Sequence, residues 1–301
     1  MYAVVLLSLT GTEPEGVRAP VLSCAEALTA GGASVETVTA HSDEEIDAVL
    51  ARLDGPPRAD GLPWPDPESK TRLVVAMATD GQLRAVVRRL VRRYAPPPSR
   101  RPVDLRDDRT VPDLPPVGVL PLDTRGGGDL AAQLDLPREP AAVAAAVLGD
   151  EVRQLDLLRT DAGSVTLDGA LVGGSDDAGR AVAWRGRVEV DSAQLTDGDD
   201  PVLACAVLNG TGYSTVDGLP LVTGADPADG VVDVAIAVPV VARRLFSRRR
   251  VRVEVRRARG RAVSVIPYGE VPLLDDGVAS MLARKRSWWM ERGAWAVYIT
   301  R

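Results

Sequence analysis

The rhythm of the sequence changes near residue 150, and that change constrains the fold more than any single motif. Before it, short β-branched runs alternate with alanine-rich amphipathic segments: "YAVVLLSL", "VRAPVLSCAEALTAGG", "ASVETVTA" and "EEIDAVLARL". This β-α-β-α order predicts a parallel sheet with helices on its faces, because parallel neighbours need a crossover and the crossover helix must bury its apolar stripe on the sheet. From Glu151 onward the helical period is gone. Short strands follow at near-regular spacing, among them "EVRQLDLLRT", "GSVTLDGALVGG", "PVLACAVLNG", "VVDVAIAVPV" and "RVRVEVRRA", separated by Gly and Asp turns. That spacing suits an antiparallel sandwich. The expectation is α/β plus all-β: a parallel-sheet domain over 1–150 and an antiparallel β-sandwich over 151–301, with the last strand, about 294–301, able to return to the first domain. A chain of 301 residues is long for one core, which agrees with two.

Within the first half, residues 54–70 and 96–116 carry too much Pro and Gly for regular structure and read as loops. Between them, "TRLVVAMATDGQLRAVVRRLVRRYA" reads as a strand, a turn at "ATDG" and a helix. On that helix Leu83, Val86, Val87, Leu90 and Val91 form an apolar stripe, with arginines on the remaining faces. "VGVLPL" then restarts the sheet and "EPAAVAAAVLGD" supplies another helix.

Composition removes several function classes. The chain is 45% hydrophobic and 26% charged, which excludes wholesale disorder. No apolar run approaches the roughly 20 residues of a membrane helix, and "AVVLLSL" reads as a first strand and not as a signal peptide, lacking a basic leader and a small-residue cleavage site. Cys24 and Cys205 are too few and too far apart for a disulfide framework or zinc cluster, so a cytoplasmic setting is the default. The one histidine, His41, reads as a surface residue between a strand end and a helix cap, which excludes a Ser-His-Asp site or a multi-His metal centre. Except for Lys70 and Lys285 the basic residues are arginines, as either genomic codon bias or phosphate binding would produce.

Two strand-to-helix turns could carry chemistry, "MATDGQL" and "PLDTRGGGDLA". Helix N-termini and glycine-rich turns present unpaired N–H groups to anions, although neither turn matches the Walker or dinucleotide pattern. Their order and spacing resemble the diacylglycerol kinase catalytic family, soluble bacterial lipid kinases that share a fold with NAD kinases. "ATDGQ", Ala78 to Gln82, stands where that family has "GGDGT", and "GVLPLDTRGGGDLAA" where it has "GVLPLGTGNDLAR". "LDLPREPAAVAAAVLGDEVRQLDLL", "LNGTGY", "PLVTGADPADGVVDVAI" and "YGE" (Tyr268 to Glu270) follow in the family's order.

The resemblance implies a nucleotide-binding-type first domain and ATP-dependent phosphoryl transfer to a lipid hydroxyl such as that of diacylglycerol, with magnesium. Carried over by position, it places Asp80 and Gly81 at the nucleotide phosphates, joined by Thr10 and Gly11 from "LSLTG". Thr124 and the Gly126, Gly127, Gly128 turn stand opposite. Glu270 becomes the acceptor-side base, Asp80 a second catalytic residue, and Asp129, Asp156 and Asp229 the magnesium carboxylates. Helix capping by Asp129 and turn formation by Asp156 and Asp229 would explain the same residues.

The departures concentrate in the nucleotide loops. Ala78 and Thr79 replace two glycines, Gln82 a threonine, Asp123 a glycine, Gly128 an asparagine, Ala132 an arginine and Tyr268 an aspartate. A side chain at Ala78 or Thr79 is expected to block phosphate or force a strained φ. Two readings stay open: a lipid kinase, its activity weak or lost, and an inactive pseudokinase that binds a lipid, nucleotide or protein.

The segment Ala242 to Arg261 holds ten arginines and one acid, Glu254. Strand alternation predicts Arg250, Arg252, Glu254 and Arg256 outward and Val251, Val253 and Val255 toward the core. The stretch Arg243–Arg261 could then meet an anionic membrane, making the protein peripheral at the inner membrane surface, or be balanced by acids from other strands. Nucleic acid ranks last, because a single aromatic, Phe246, stands among the arginines and the net charge is −6. Trp288, Trp289, Trp295 and Tyr298 read either as an interfacial anchor or as the core packing of a closing strand and a preceding helix. The sequence leaves a homodimer open.

Overall fold

The computed structural model describes residues 1–9, 18–123, 127–242 and 250–300. In chain order, the first stretch of elements is β1 Ala3–Leu9, α1 Arg18–Ala30, β2 Ser34–Ala40, α2 Asp43–Leu50, β3 Thr71–Met77, α3 Asp80–Tyr94, β4 Val117–Pro121, α4 Leu130–Gln133, α5 Pro140–Leu148 and β5 Val152–Thr160. There follow β6 Val165–Thr166, β7 Gly169–Val172, β8 Gly174–Ser175, β9 Ala181–Val182, β10 Gly186–Val190, β11 Ala193–Thr196, β12 Ala204–Leu208, β13 Thr215–Val216 and β14 Leu219–Pro220. The chain closes with β15 Val232–Ala242, β16 Arg250–Gly260, β17 Ala262–Pro267, β18 Val271–Asp275, β19 Val278–Leu282 and β20 Arg286–Tyr298. Two compact units result: Met1–Asp156 with Glu291–Arg301, and Leu157–Met290.

In the first unit the strands run in the order β2-β1-β3-β4-β20, and every pairing in it is parallel. One face of this sheet buries Val4, Leu6, Val74, Ala76 and Leu120 against Val21, Cys24 and Leu28 of α1 and Val143 and Val147 of α5. Residues of opposite parity, among them Leu7, Leu73, Val75 and Met77, are equally buried on the face that α2 and α3 cover. The helices start where the sequence signals them. Ser42 caps α2 by accepting the Glu45 N–H at 3.2 Å, and Glu45 reaches back past the cap to the His41 N–H at 2.7 Å, so the backbone of the exposed His41 is tied to the helix start. Pro140 opens α5. Gly118 lets that helix lie close to β4, since a Cβ there would sit 2.5 Å from Val147 Cγ2.

The second unit is the antiparallel sandwich. One sheet has the order β11-β10-β17-β20 and the other β16-β15-β12-β7-β18-β19. Between them Val188, Val190, Val263, Val265 and Trp288 from the first sheet pack on Val172, Cys205, Val207, Val234 and Ile236 from the second. Two short hairpins, β8–β9 and β13–β14, stand outside these sheets.

Two expectations for this half change. β16 does not segregate its valines inward: Val253 is 42% exposed and Val255 packs on the outer face of its sheet. Arg256 is the half-buried residue, bonded to Leu195 O at 3.2 Å, Asp200 at 2.8 Å and Glu254 at 3.0 Å. The cause is that β16 is an edge strand, where a long side chain can lie along the sandwich margin and find carboxylates. The core reading of the C-terminal aromatics holds for Trp288, Trp295 and Tyr298, which are buried in β20, but the element before that strand is β19 and not the expected helix. Among the described residues, no helix is long and apolar enough to cross a membrane.

Candidate functional site

In the first unit β3 and β4 lie side by side in parallel register, from Leu73 opposite Val117 to Met77 opposite Pro121. Their carboxyl ends therefore deliver the "ATDGQ" and "LDTRGGGDLA" turns to the same edge, where open α/β sheets hold ligands. β1 ends beside them, but Thr10 and Gly11 lie outside the described residues, as do Thr124 and Gly126.

In the described part of the two turns, two backbone N–H groups are taken by side chains of the turns themselves. Gln82 Oε1 accepts the Ala78 N–H at 2.7 Å. Asp80, at the first turn of α3, reaches across to accept the Leu130 N–H at 3.0 Å. Asp129 caps α4 by accepting the Ala132 N–H at 3.0 Å, and its two oxygens take a bidentate fork from Arg138 at 2.6 and 2.8 Å. The Arg138 guanidinium also donates to Asp123 O. Burial of Asp129 pushes its carboxyl pKa up, but the Arg138 fork and the Ala132 N–H outweigh it and leave the group below the usual carboxylate range. The Asp129 bond, against a burial penalty, raises Arg138, and the charges of Asp123 and Asp80 add to the effect. One guanidinium thus forks the Asp129 carboxylate and sets its charge against those of Asp123 and Asp80 at the edge the two turns share.

The departures do not act through strain. Thr79 holds φ −141°, ordinary extended backbone, and Ala78 is not among the residues of positive φ. Gly127 and Gly128 are exposed, with open space where a Cβ would go and no positive φ, so neither needs to be glycine. Gly81 lies in the first turn of α3.

The carboxylates assigned to magnesium are each engaged elsewhere. Asp156 is 1% exposed and accepts the Gly293 N–H at 2.6 Å, while its carbonyl takes the Trp295 indole N–H at 2.9 Å. Asp229 belongs to the second unit, where it pairs with Arg259 and accepts the Val231 N–H at 3.1 Å. Among the described residues, no group of three His, Cys, Asp or Glu side chains is arranged to hold a metal ion. Asp129, Asp156 and Asp229 therefore do not form one donor group among the described residues. Glu270, also in the second unit, is exposed and has no hydrogen-bond partner among the described residues, and the neighbouring Tyr268 hydroxyl donates to Asp197 O at 2.7 Å.

Sequence reading missed Arg138. Its signal was the absence of the expected arginine at Ala132, which leaves the Asp129 carboxylate wanting a cation that arrives from six residues further on. A cavity of about 570 Å³ in the first unit lies elsewhere, at the amino ends of β3 and β4 beside Arg72, Leu114 and Tyr298.

No protein-family model matches the chain. No curated protein matches it either. Solved structures do. A crystal structure of a diacylglycerol kinase from Bacillus anthracis str. Sterne superposes with a TM-score of 0.62 at 13% identity, covering 98% of this chain and 96% of that one. Two structures provisionally assigned as diacylglycerol kinases from the same organism give 0.65 at 13% and 0.64 at 14%, covering 98% of this chain and 96% and 97% of theirs. At such identities the likeness is one of fold: the chain folds as the bacterial diacylglycerol kinases do.

Proposed function

We propose that the chain is a diacylglycerol-kinase-fold protein that does not transfer phosphate from ATP and works as a lipid-binding module. The observation that carries this reading is that N–H groups of both turns are already taken by side chains of the turns themselves. A phosphate cradle needs N–H donors left free for the ligand, and here Ala78 and Leu130 give theirs to Gln82 and Asp80. An incoming phosphate would also meet Asp80, Asp123 and Asp129 with Arg138 as their shared counter-ion.

The second reading is ATP- and magnesium-dependent transfer to a lipid hydroxyl with Glu270 as base. It is favoured by the fold likeness and by the retained Asp80–Gly81 pair. Thermal unfolding with and without millimolar ATP and magnesium separates the two. Nucleotide binding to the folded protein at 100 times its dissociation constant would add about 2.7 kcal/mol and raise the midpoint visibly. The expected outcome is no shift, together with no phosphorylated lipid; a shift that Asp80→Asn removes, with labelled lipid formed, would overturn the proposal in favour of the kinase.

A further inference from the structure

The second unit holds a cavity of about 280 Å³ that the kinase resemblance does not assign. It lies on the outer face of the six-stranded sheet. Its space comes from small residues in register: Ala204 of β12 stands directly opposite Ala237 of β15, and both line it. Larger side chains at that pair would fill the volume. Leu171 and Leu203 border the alanines, Val253 of β16 closes one side, and Val216 and Leu219 reach in from the β13–β14 hairpin. The volume falls just below the ~300–1,000 Å³ of pockets that hold drug-sized ligands, which leaves room for one alkyl chain and not for two.

Only two lining residues have polar side chains, Ser175 and Asp217. Asp217 is exposed at the hairpin turn, in the left-handed region at φ 48°, and no described residue donates to its carboxylate. A carboxylate accepts hydrogen bonds and repels another anion, so this mouth selects hydroxyl donors over a carboxylate or phosphate head. An ammonium head gains little, because a single exposed ion pair contributes only about 0–1 kcal/mol. Arg257, outside the lining, spends donors on the Pro220 and Leu221 carbonyls of the same hairpin and so holds it in place.

We infer that this cavity binds a neutral, single-chain amphiphile with a hydroxyl-bearing head, its tail over the Ala204–Ala237 pair and its hydroxyls at Asp217 and Ser175. The inference deepens the lipid-binding reading and rests on it.

The test is calorimetric titration of the full chain with 1-decanoylglycerol, decanoate and decylamine, each below its aggregation concentration. Decanoylglycerol should bind saturably and at least tenfold more tightly than either charged analogue. Asp217→Asn, which the left-handed backbone tolerates, should bring decanoate to within threefold of the glyceride. Ala237→Leu should weaken glyceride binding at least tenfold. Val253→Phe, at an exposed position that leaves the core alone, should do the same if Ala237→Leu does not fold. No saturable glyceride binding, or undiminished binding in the filled variants, overturns the site; equal binding of decanoate or decylamine overturns the head-group class. These outcomes are independent of nucleotide: stabilisation by ATP would overturn the inactive reading alone, and a protein indifferent to both ATP and glyceride would overturn the cavity alone.

Discussion

Replacing Arg138 by methionine removes the fork that holds the Asp129 carboxylate while keeping an apolar stem of similar length. Charge-assisted hydrogen bonds contribute about 1.5–3 kcal/mol each way of counting, and the pair is three-quarters or more shielded from water, so a loss of about 2 kcal/mol at neutral pH is expected. The sign of its pH dependence follows from Asp129. Its folded pKa lies below the unfolded value of about 3.9, so its contribution is complete above that value and is lost as pH falls through the lower folded one. Urea unfolding from pH 7 to pH 3 should therefore show the wild type and Arg138→Met far apart at neutral pH and converging in acid. A gap that stays constant would mean that Arg138 acts by packing alone. The same pair marks a limit of sequence reading at this scale. That Asp129 caps a helix was legible from its place before a hydrophobic run; that its cation comes from Arg138 was not, because the bond depends on how the α4 turn folds back.

At the scale of elements, local period was informative and long side chains were not. The stripe Leu83, Val86, Val87, Leu90 and Val91 is buried in α3 as its spacing implies. Yet Arg89, which the same spacing puts on a polar face, is 7% exposed. It docks α3 on α2 by bonding Asp43 at 2.9 Å and Asp47 at 2.7 Å. Its partners are acidic residues of the α2 first turns, so a helical wheel of α3 alone could not reveal them. Breaking a fully buried pair costs about 3–5 kcal/mol, but Asp43 and Asp47 keep side-chain exposures of 43% and 37% and can rehydrate. Arg89→Ala is accordingly expected to cost about 2 kcal/mol, read as a lower urea midpoint at unchanged slope. A midpoint unmoved by the substitution would show that the apolar stripe docks the two helices unaided. β16 fails to match its pattern for a related reason: alternation sorts residues between two faces only where both faces are defined, and an edge strand carrying Arg256 beside Asp200 and Glu254 has a third option at the margin.

At the scale of the molecule, the α/β first half and β-rich second half were legible because period is a local property of the chain. What local period does not encode is which sheet a strand joins when its neighbour is far away in sequence, and β20 is the case in point: Val297 pairs with Val117. The first unit is consequently built from two separate pieces of chain, and its integrity depends on the last of them. Residues 291–301 supply Trp295, Ala296, Val297 and Tyr298 to its core. They also supply the Arg292 and Gly293 carbonyls to Arg109, which is 3% exposed, the Glu291 carboxylate to the Thr110 N–H at 2.6 Å, and the Gly293 N–H to Asp156. Ending the chain at Met290 would therefore take two carbonyl acceptors from Arg109, which keeps Asp113, and the Gly293 N–H from Asp156, and each hydrogen bond lost from a charged group costs about 1.5–3 kcal/mol. Removal of the buried aromatic Trp295 adds about 3–5 kcal/mol, and a domain's whole stability is about 5–15 kcal/mol. The truncated chain should thus lose the cooperative unfolding of its first unit, with amide exchange across β1, β3 and β4 as fast as in an unstructured chain. Slow exchange retained in those strands would show that the sheet stands without its C-terminal strand, and that β20 is an addition to a self-sufficient fold.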